Sequence, residues 1–394
     1  LNVERATTTA TRPSWIKGLL WRILAIGMGL FVACALIELG LRVLGVAPPR
    51  LLSKRLLIDT DSQPLIDYHC YPQNSHGEFS QVPDVTDGHW RLTDFMKRDY
   101  ALDELAKTPW CVEYRRSPQG LRDREYATAQ PGDPLRIACV GDSFVFGEGV
   151  PLERTLPRQL EQLLGDKFQV INAGQPGWGT AEELSAARRL VADLGVNRVV
   201  LVFTANDILL SDELRARENA LHDLINVRDE LIRTAEFERW NARGLRLLEW
   251  LRTYTTMQVI SEQTIQWYLD AYDPTFNAAG LEWLDEHLRA FAQIPDCQVA
   301  VVLYPLLEQL ERDYPLQPIY DRVQAMAEAA GLPVLNLTTE FRGSATADQW
   351  VDPSDHHPNG TAHRAAATAI ADWLPTIPGF LDAANGRRTV SESK

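Results

Sequence analysis

The chain has 394 residues, 45% hydrophobic and 23% charged, the balance of a folded globular protein with room for one large domain or two modest ones. Its net charge of -14 argues against a nucleic-acid partner, because no basic surplus is available to neutralise phosphates. The five cysteines, Cys34, Cys70, Cys111, Cys139 and Cys297, form no Cys-x-x-Cys pair and no Cys/His cluster with zinc spacing, so no metal and no cofactor are expected.

Residues 1–18 read as a cytoplasmic tail, polar, Thr-rich and without order over the first 14. Residues 19–46, LLWRILAIGMGLFVACALIELGLRVLGV, read as a transmembrane anchor, since a helix crosses a bilayer with roughly 20 apolar residues. Glu38 and Arg42 lie one helical turn apart and are spaced to pair or to snorkel. A buried core helix is the alternative; the early position and the following Pro48-Pro49 favour the span. No small-x-small cleavage site follows, which favours an uncleaved anchor over a removed signal peptide. Arg5, Arg12, Lys17 and Arg22 precede the span, and Arg42, Arg50, Lys54 and Arg55 follow it, so the positive-inside count is a tie. The short preceding tail is easily left inside. We therefore expect a single-pass protein of the cell membrane, with the rest of the chain on the extracytoplasmic (periplasmic) side.

Residues 47–130 read as an irregular preamble packed on the main domain, with short strands near 68–72 and 111–115. His69, His76 and His89 have no ligand spacing and read as surface or packed histidines. Cys70 and Cys111 are either a disulfide, if the segment faces an oxidising compartment, or two free thiols. Cys139 and Cys297 lie in apolar runs and read as small buried hydrophobes.

The main domain, 131–380, alternates strands and helices. Strands are predicted over 136–140, 168–172, 198–203, 298–304 and 333–337, and helices over 155–164, 180–193, 318–330 and 361–374. Thr180-Ala181-Glu182-Glu183 reads as a capping box. The pattern is α/β: a parallel five-stranded sheet covered on both faces. Residues 208–294 are too long for an ordinary connection and read as a helical insertion after the third strand. Its apolar spacing includes Leu221, Leu224 and Ile225, then Leu245, Leu248 and Leu251, with Trp250, Trp267 and Trp283 among them. It is either a lid shaping a substrate pocket or a packing elaboration. Residues 381–394 read as a disordered tail.

The chemistry gathers at strand ends. The apolar run 137–140 stops at Gly141-Asp142-Ser143, a sharp turn that would lift Ser143 above the carboxyl edge of the sheet, where open α/β folds hold ligands. Asn172-Ala173-Gly174 follows the second strand, Asn206-Asp207 the third, and Asp355-His356-His357-Pro358 the fifth. Acyl transfer needs a nucleophile, a base and oxyanion donors. We assign Ser143 as nucleophile, His357 as general base and Asp355 as the acid that orients it. The backbone N–H groups of Ser143 and Gly174 and the side-chain amide of Asn206 are the oxyanion donors. His357 is preferred to His356 because Pro358 fixes its backbone. Asp207 reads as a cap of the following helix.

These blocks, in this order, resemble the GDSL/SGNH hydrolase superfamily over roughly residues 135–375. The resemblance implies a flavodoxin-like three-layer α/β/α sandwich and a Ser/Gly/Asn/His site for ester hydrolysis. It equally covers acyltransferases and peptidases. Two positions depart from the family pattern. Thr204 stands where a glycine usually precedes the asparagine by two residues. Ser354 stands where the acid often precedes the histidine by three, so Asp355 serves instead, with Asp352 as the fallback. Val145 occupies the last position of a Gly-x-Ser-x-Gly elbow, which argues against an α/β-hydrolase. Neither a dinucleotide fingerprint nor a P-loop is present. The leading expectation is a membrane-anchored serine esterase acting on a small-molecule or glycan ester. The alternatives are an O-acyltransferase or deacylase acting on an envelope glycan, and a catalytically silent binding module.

Overall fold

The computed structural model describes residues 14–44, 58–60, 66–71, 80–81, 90–92, 110–130, 132–221, 246–311, 313–352 and 355–382. The tail calls at 1–13 and 383–394, together with His76, His89, Leu224, Ile225 and Leu245, lie outside them. The side chains of His69, Cys70, Cys111 and Trp250 lie outside them too. The chain divides into two compact units: residues 1–50 with 227–261, and residues 51–226 with 262–394.

The first unit is helical. α1, Ser14–Val43, contains the apolar stretch Trp21–Val43, most of whose large apolar side chains are exposed while Glu38 is buried. Glu38 pairs with Arg42 at 2.6 Å, as the spacing predicts. The other carboxylate oxygen of Glu38 accepts the Leu247 N–H at 2.8 Å, which caps the start of a long helix, Arg246–Ala271. The Arg246 guanidinium adds a bond to the Leu41 carbonyl at 3.1 Å. Leu248 and Leu251, part of the apolar spacing read in the insertion, are about half exposed at 52% and 54%.

In the second unit, two small antiparallel sheets precede the main domain. β1 (Ile58–Thr60) pairs with β4 (Trp90–Leu92). β5 (Trp110–Arg115) lies between β2 (Ile66–Tyr71) and β3 (Ser80–Gln81). Val112 and Tyr114 of β5 bury against Phe146, Val150 and Val351, so this sheet packs beside the loop that follows Ser143.

The main sheet has five strands: β6 (Leu135–Gly141), β7 (Phe168–Gly174), β8 (Arg198–Phe203), β9 (Gln298–Leu303) and β10 (Val334–Asn336). Their spatial order is β10-β9-β8-β6-β7 and every pairing is parallel. This is the flavodoxin-like order, and its switch point lies between β6 and β8. All six residues of β8, RVVLVF, are buried. Each buried Val or Leu contributes about 1.5–3 kcal/mol relative to exposure. Such unbroken apolar runs need cover on both faces, and helices supply it.

The helices that build the two outer layers are α3 (Leu156–Leu164), α4 (Thr180–Leu194), α6 (Pro274–Ala292), α7 (Gln317–Ala329) and α8 (Gly360–Trp373), with Arg246–Ala271 as α5 and the short Ser143–Phe146 as α2. α3 packs with α8, and α6 packs with both α4 and α7. Leu284, Leu288 and Phe291 of α6 are buried, so this part of the insertion completes a helical layer and is not a lid. Trp267 is also interior, its indole N–H bonded to the Leu214 carbonyl at 2.9 Å. The expected capping box shifts by one residue. α4 starts at Thr180 with Gly179 as its N-cap, and Glu182 accepts the Gly179 N–H at 3.3 Å. Thr180 is buried and turns its hydroxyl to the Asp207 carbonyl at 3.0 Å, which removes it from the cap.

Candidate active site

The turn that carries Ser143 is held by close approach. β6 ends at Gly141, where a Cβ would meet the Val145 side chain at 2.4 Å and the Val202 carbonyl at 2.9 Å. Asp142 is the N-cap of α2 and accepts the Phe144 N–H at 2.8 Å. Ser143 therefore begins a helix at the sheet's switch point, mostly buried, with an N–H that makes no hydrogen bond among the described residues.

The far end of the chain reaches this turn. β11 (Trp350–Asp352) pairs antiparallel with β12 (Asp355–Pro358), which carries the two histidines. The His357 Nε2 lies 2.9 Å from Ser143 Oγ. Its Nδ1 lies 2.5 Å from Asp355 Oδ1, which also accepts the His357 backbone N–H at 3.2 Å. An imidazole that donates Nδ1–H to Asp355 leaves Nε2 free to accept the serine proton. Phe144 braces the ring edge-on at 5.8 Å between centroids. The neighbouring His356 faces elsewhere: its Nδ1 meets Glu308, and its ring stacks on Trp350 at 3.7 Å and 8°. Asp352 pairs with Asp355 in the β11–β12 register.

Asn206 emerges beside Asp142. Its amide donates to Asp142 Oδ2 at 2.9 Å, and its carbonyl oxygen accepts the Thr204 hydroxyl at 2.5 Å. Thr204, at the position where the family pattern has glycine, thus ties Asn206 to the turn that carries Ser143. Asp207 does not cap the following helix. Its carboxyl is buried and accepts the Thr204 N–H at 2.6 Å, closing its own turn. Burial, with Glu183 and Asp142 near, pushes Asp207 well above the usual carboxylate range. Burial, with Asp142 and Glu182 near, does the same to Glu183.

Gly174 takes a different place from the one expected. Its N–H donates to Asn172 Oδ1 at 3.1 Å, and a Cβ there would lie 2.1 Å from the Phe146 nitrogen. It is a packing glycine that lets α2 lie against β7, and its donor is already used. Three residues on, Gly177 has φ of 78°, open space about it, and an N–H with no hydrogen bond among the described residues. A left-handed position needing glycine is the signal that would have singled it out.

Two further residues were not legible from the sequence. Arg122 is buried to 1% and donates to the carbonyls of Phe146 (2.8 Å), Gly147 (2.5 Å) and Val150 (2.5 Å). Its guanidinium lies over the Tyr114 ring at 4.3 Å, so it clamps the loop after Ser143. Burial lowers its pKa to about 10, which leaves it charged at neutral pH. Glu148, on that loop, places Oε2 3.4 Å from His357 Nε2. Behind His357, His363 of α8 is fully buried, and burial with Arg122, His357 and Arg154 nearby holds it down to about 3, hence neutral. An open depression of about 830 Å³ lies at the opposite edge of the sheet, beside Leu135 and Asn197, away from Ser143. Among the described residues no group of three or more His, Cys, Asp or Glu side chains is placed to hold a metal ion.

The profile of the GDSL-like Lipase/Acylhydrolase family matches residues 139–365, from just before the nucleophile turn to just past the histidine. No curated protein matches the chain. Several solved structures are similar at low identity. Est24, a carbohydrate acetylesterase from Sinorhizobium meliloti, is 14% identical, with a TM-score of 0.36 over 61% of this chain and 99% of that one. An aryl esterase of M. smegmatis is 17% identical, with a TM-score of 0.32 over 61% and 99%. A lipase/acylhydrolase from Enterococcus faecalis is 15% identical, with a TM-score of 0.35 over 61% and 96%. The family profile covers more than half of the chain, and the chain belongs to the GDSL-like lipase/acylhydrolase family of ester-hydrolysing serine hydrolases.

Proposed function

We propose that the protein is a membrane-anchored serine esterase in which Ser143, His357 and Asp355 act as a triad on a carboxylic ester. The observation that carries this reading is the unbroken relay from Ser143 Oγ to His357 Nε2 at 2.9 Å and from Nδ1 to Asp355 at 2.5 Å. Oγ attacks the ester carbonyl as Nε2 takes its proton, and the carbonyl π electrons move to oxygen. Collapse returns the proton from Nε2 to the leaving alkoxide and leaves an acyl-enzyme, which water resolves by the same route in reverse. The oxyanion is received by the Ser143 N–H, the Asn206 amide and, in place of Gly174, the open N–H of Gly177. Asn206 keeps a second amide hydrogen beyond its bond to Asp142.

α1 is the proposed anchor, and the hydrolase domain is placed on the extracytoplasmic side. The anchor is supported by one helix of 23 residues, Trp21–Val43, long and apolar enough to cross a bilayer. A fluorophosphonate probe should label the detergent-solubilised full chain at Ser143, and Ser143→Ala should abolish turnover of p-nitrophenyl acetate. Turnover undiminished in Ser143→Ala would reject the triad. Product analysis with glycan acceptors present separates hydrolysis from transfer, because the two share the acyl-enzyme and part only at the acceptor.

A further inference from the structure

We propose that Glu148 is a second carboxylate acting on His357, stabilising the imidazolium from the Nε2 side while Asp355 does so from the Nδ1 side. This rests on the triad reading above. Glu148 Oε2 lies 3.4 Å from Nε2, and its side chain is only 5% exposed. Nε2 is therefore shared between two neighbours, Ser143 Oγ at 2.9 Å and this carboxylate.

The position has a chemical consequence. In the resting state Nε2 carries a lone pair and accepts the serine hydroxyl, so Glu148 gains nothing from the ring. Once Oγ has attacked and Nε2 holds the proton, the ring is a cation with a carboxylate 3.4 Å away in a largely water-excluded pocket. An interaction present only in the charged state lowers the barrier without tightening the ground state. The backbone fixes Glu148 for this role. Its N–H donates to the Ser143 carbonyl at 3.1 Å, and Gly149 next to it donates to the Tyr114 hydroxyl at 2.6 Å. The carboxylate and the nucleophile thus belong to one rigid turn, clamped by Arg122.

Other charged and titratable groups lie near His357 among the described residues. Asp355 and His356 lie on its own strand, and His356 is engaged by Glu308. On the packed α8 lies the buried neutral His363, which His357, Arg122 and Arg154 all influence.

The test is the pH profile of kcat/KM for p-nitrophenyl acetate with the full chain in detergent. Activity requires neutral His357, so a carboxylate that favours the cation moves the acidic limb to higher pH. Glu148→Gln should move that limb down by about one pH unit and reduce the plateau about tenfold. Glu148→Asp keeps the charge but withdraws it, and should show a smaller shift in the same direction. This second variant keeps the test usable if the glutamine form does not fold. An acidic limb superimposable on the wild type in both variants, or in the aspartate variant alone if only that one folds, would overturn the proposal. Ser143→Ala, run alongside, separates the two failures: activity surviving there sinks the triad itself, whereas an unmoved limb with a dead Ser143→Ala sinks only the role of Glu148.

Discussion

Arg122→Met should loosen the nucleophile loop and destabilise the hydrolase domain together. The guanidinium bridges three main-chain carbonyls, those of Phe146, Gly147 and Val150, at 2.5 to 2.8 Å. Methionine replaces most of the stem volume, and the Phe146 and Gly147 carbonyls keep the Asn172 amide and the Val150 N–H, both at 3.3 Å, but the Val150 carbonyl loses the donor it has among the described residues, at about 1–3 kcal/mol. Part of this is offset, because a buried cation costs several kcal/mol of hydration that methionine does not. We expect a net loss of about 2 kcal/mol, which for a domain of this size lowers Tm by roughly 6 °C. Arg122→Lys retains the charge without the planar fork and should fall between. Thermal unfolding of the solubilised full chain reads the stability, and the rate of fluorophosphonate labelling reads the loop. A Tm within about 2 °C of wild type, with labelling unchanged, would refute the clamp.

Asp355→Asn leaves the shape of the site intact but no longer stabilises the imidazolium or enforces the Nδ1–H tautomer. It should lower kcat on p-nitrophenyl acetate by about a hundredfold to ten-thousandfold, and a loss under threefold would count against its role. Glu183→Gln tests the buried acidic cluster. A carboxyl whose folded pKa is raised adds stability that is complete below its unfolded value and is lost as pH rises through the folded one. The neutral glutamine has no such loss, so the Tm difference between variant and wild type should move in the variant's favour by several degrees from pH 5 to pH 8; a difference independent of pH would contradict the assignment. Cys70 lies directly opposite Cys111 in the β2–β5 register. Opposed residues of an antiparallel ladder have Cα atoms about 4.5–5.5 Å apart, within disulfide range. On the proposed extracytoplasmic side, an external disulfide should oxidise the pair. Non-reducing digestion should then yield the two peptides joined, and two alkylatable thiols would speak against it.

Much of the fold was legible because the sheet strands are mostly apolar runs, and β8 falls on the predicted residues 198–203. The meeting of Ser143 with His357 was legible because Ser143 and the His357-Pro358 step stand immediately after strands or before a helix, where topology brings sequence-distant groups to one edge. The misses share a cause: they depend on what packs against a residue. Thr180 looks like a cap until its burial beside Asp207 turns the hydroxyl inward. Gly174 looks like an oxyanion donor until Phe146 is found against it. Arg122 and Glu148 are ordinary charges in the sequence, and only the folded loop sets one beneath the nucleophile turn and the other beside Nε2.

The central claim is that Ser143 is activated by an imidazole 214 residues away. Its most direct measurement is mass-spectrometric mapping of the fluorophosphonate adduct in the folded full chain. The adduct should fall on Ser143, form in the native protein, and vanish on heat denaturation and in His357→Ala. An adduct elsewhere, or native labelling that survives the loss of His357, would contradict it.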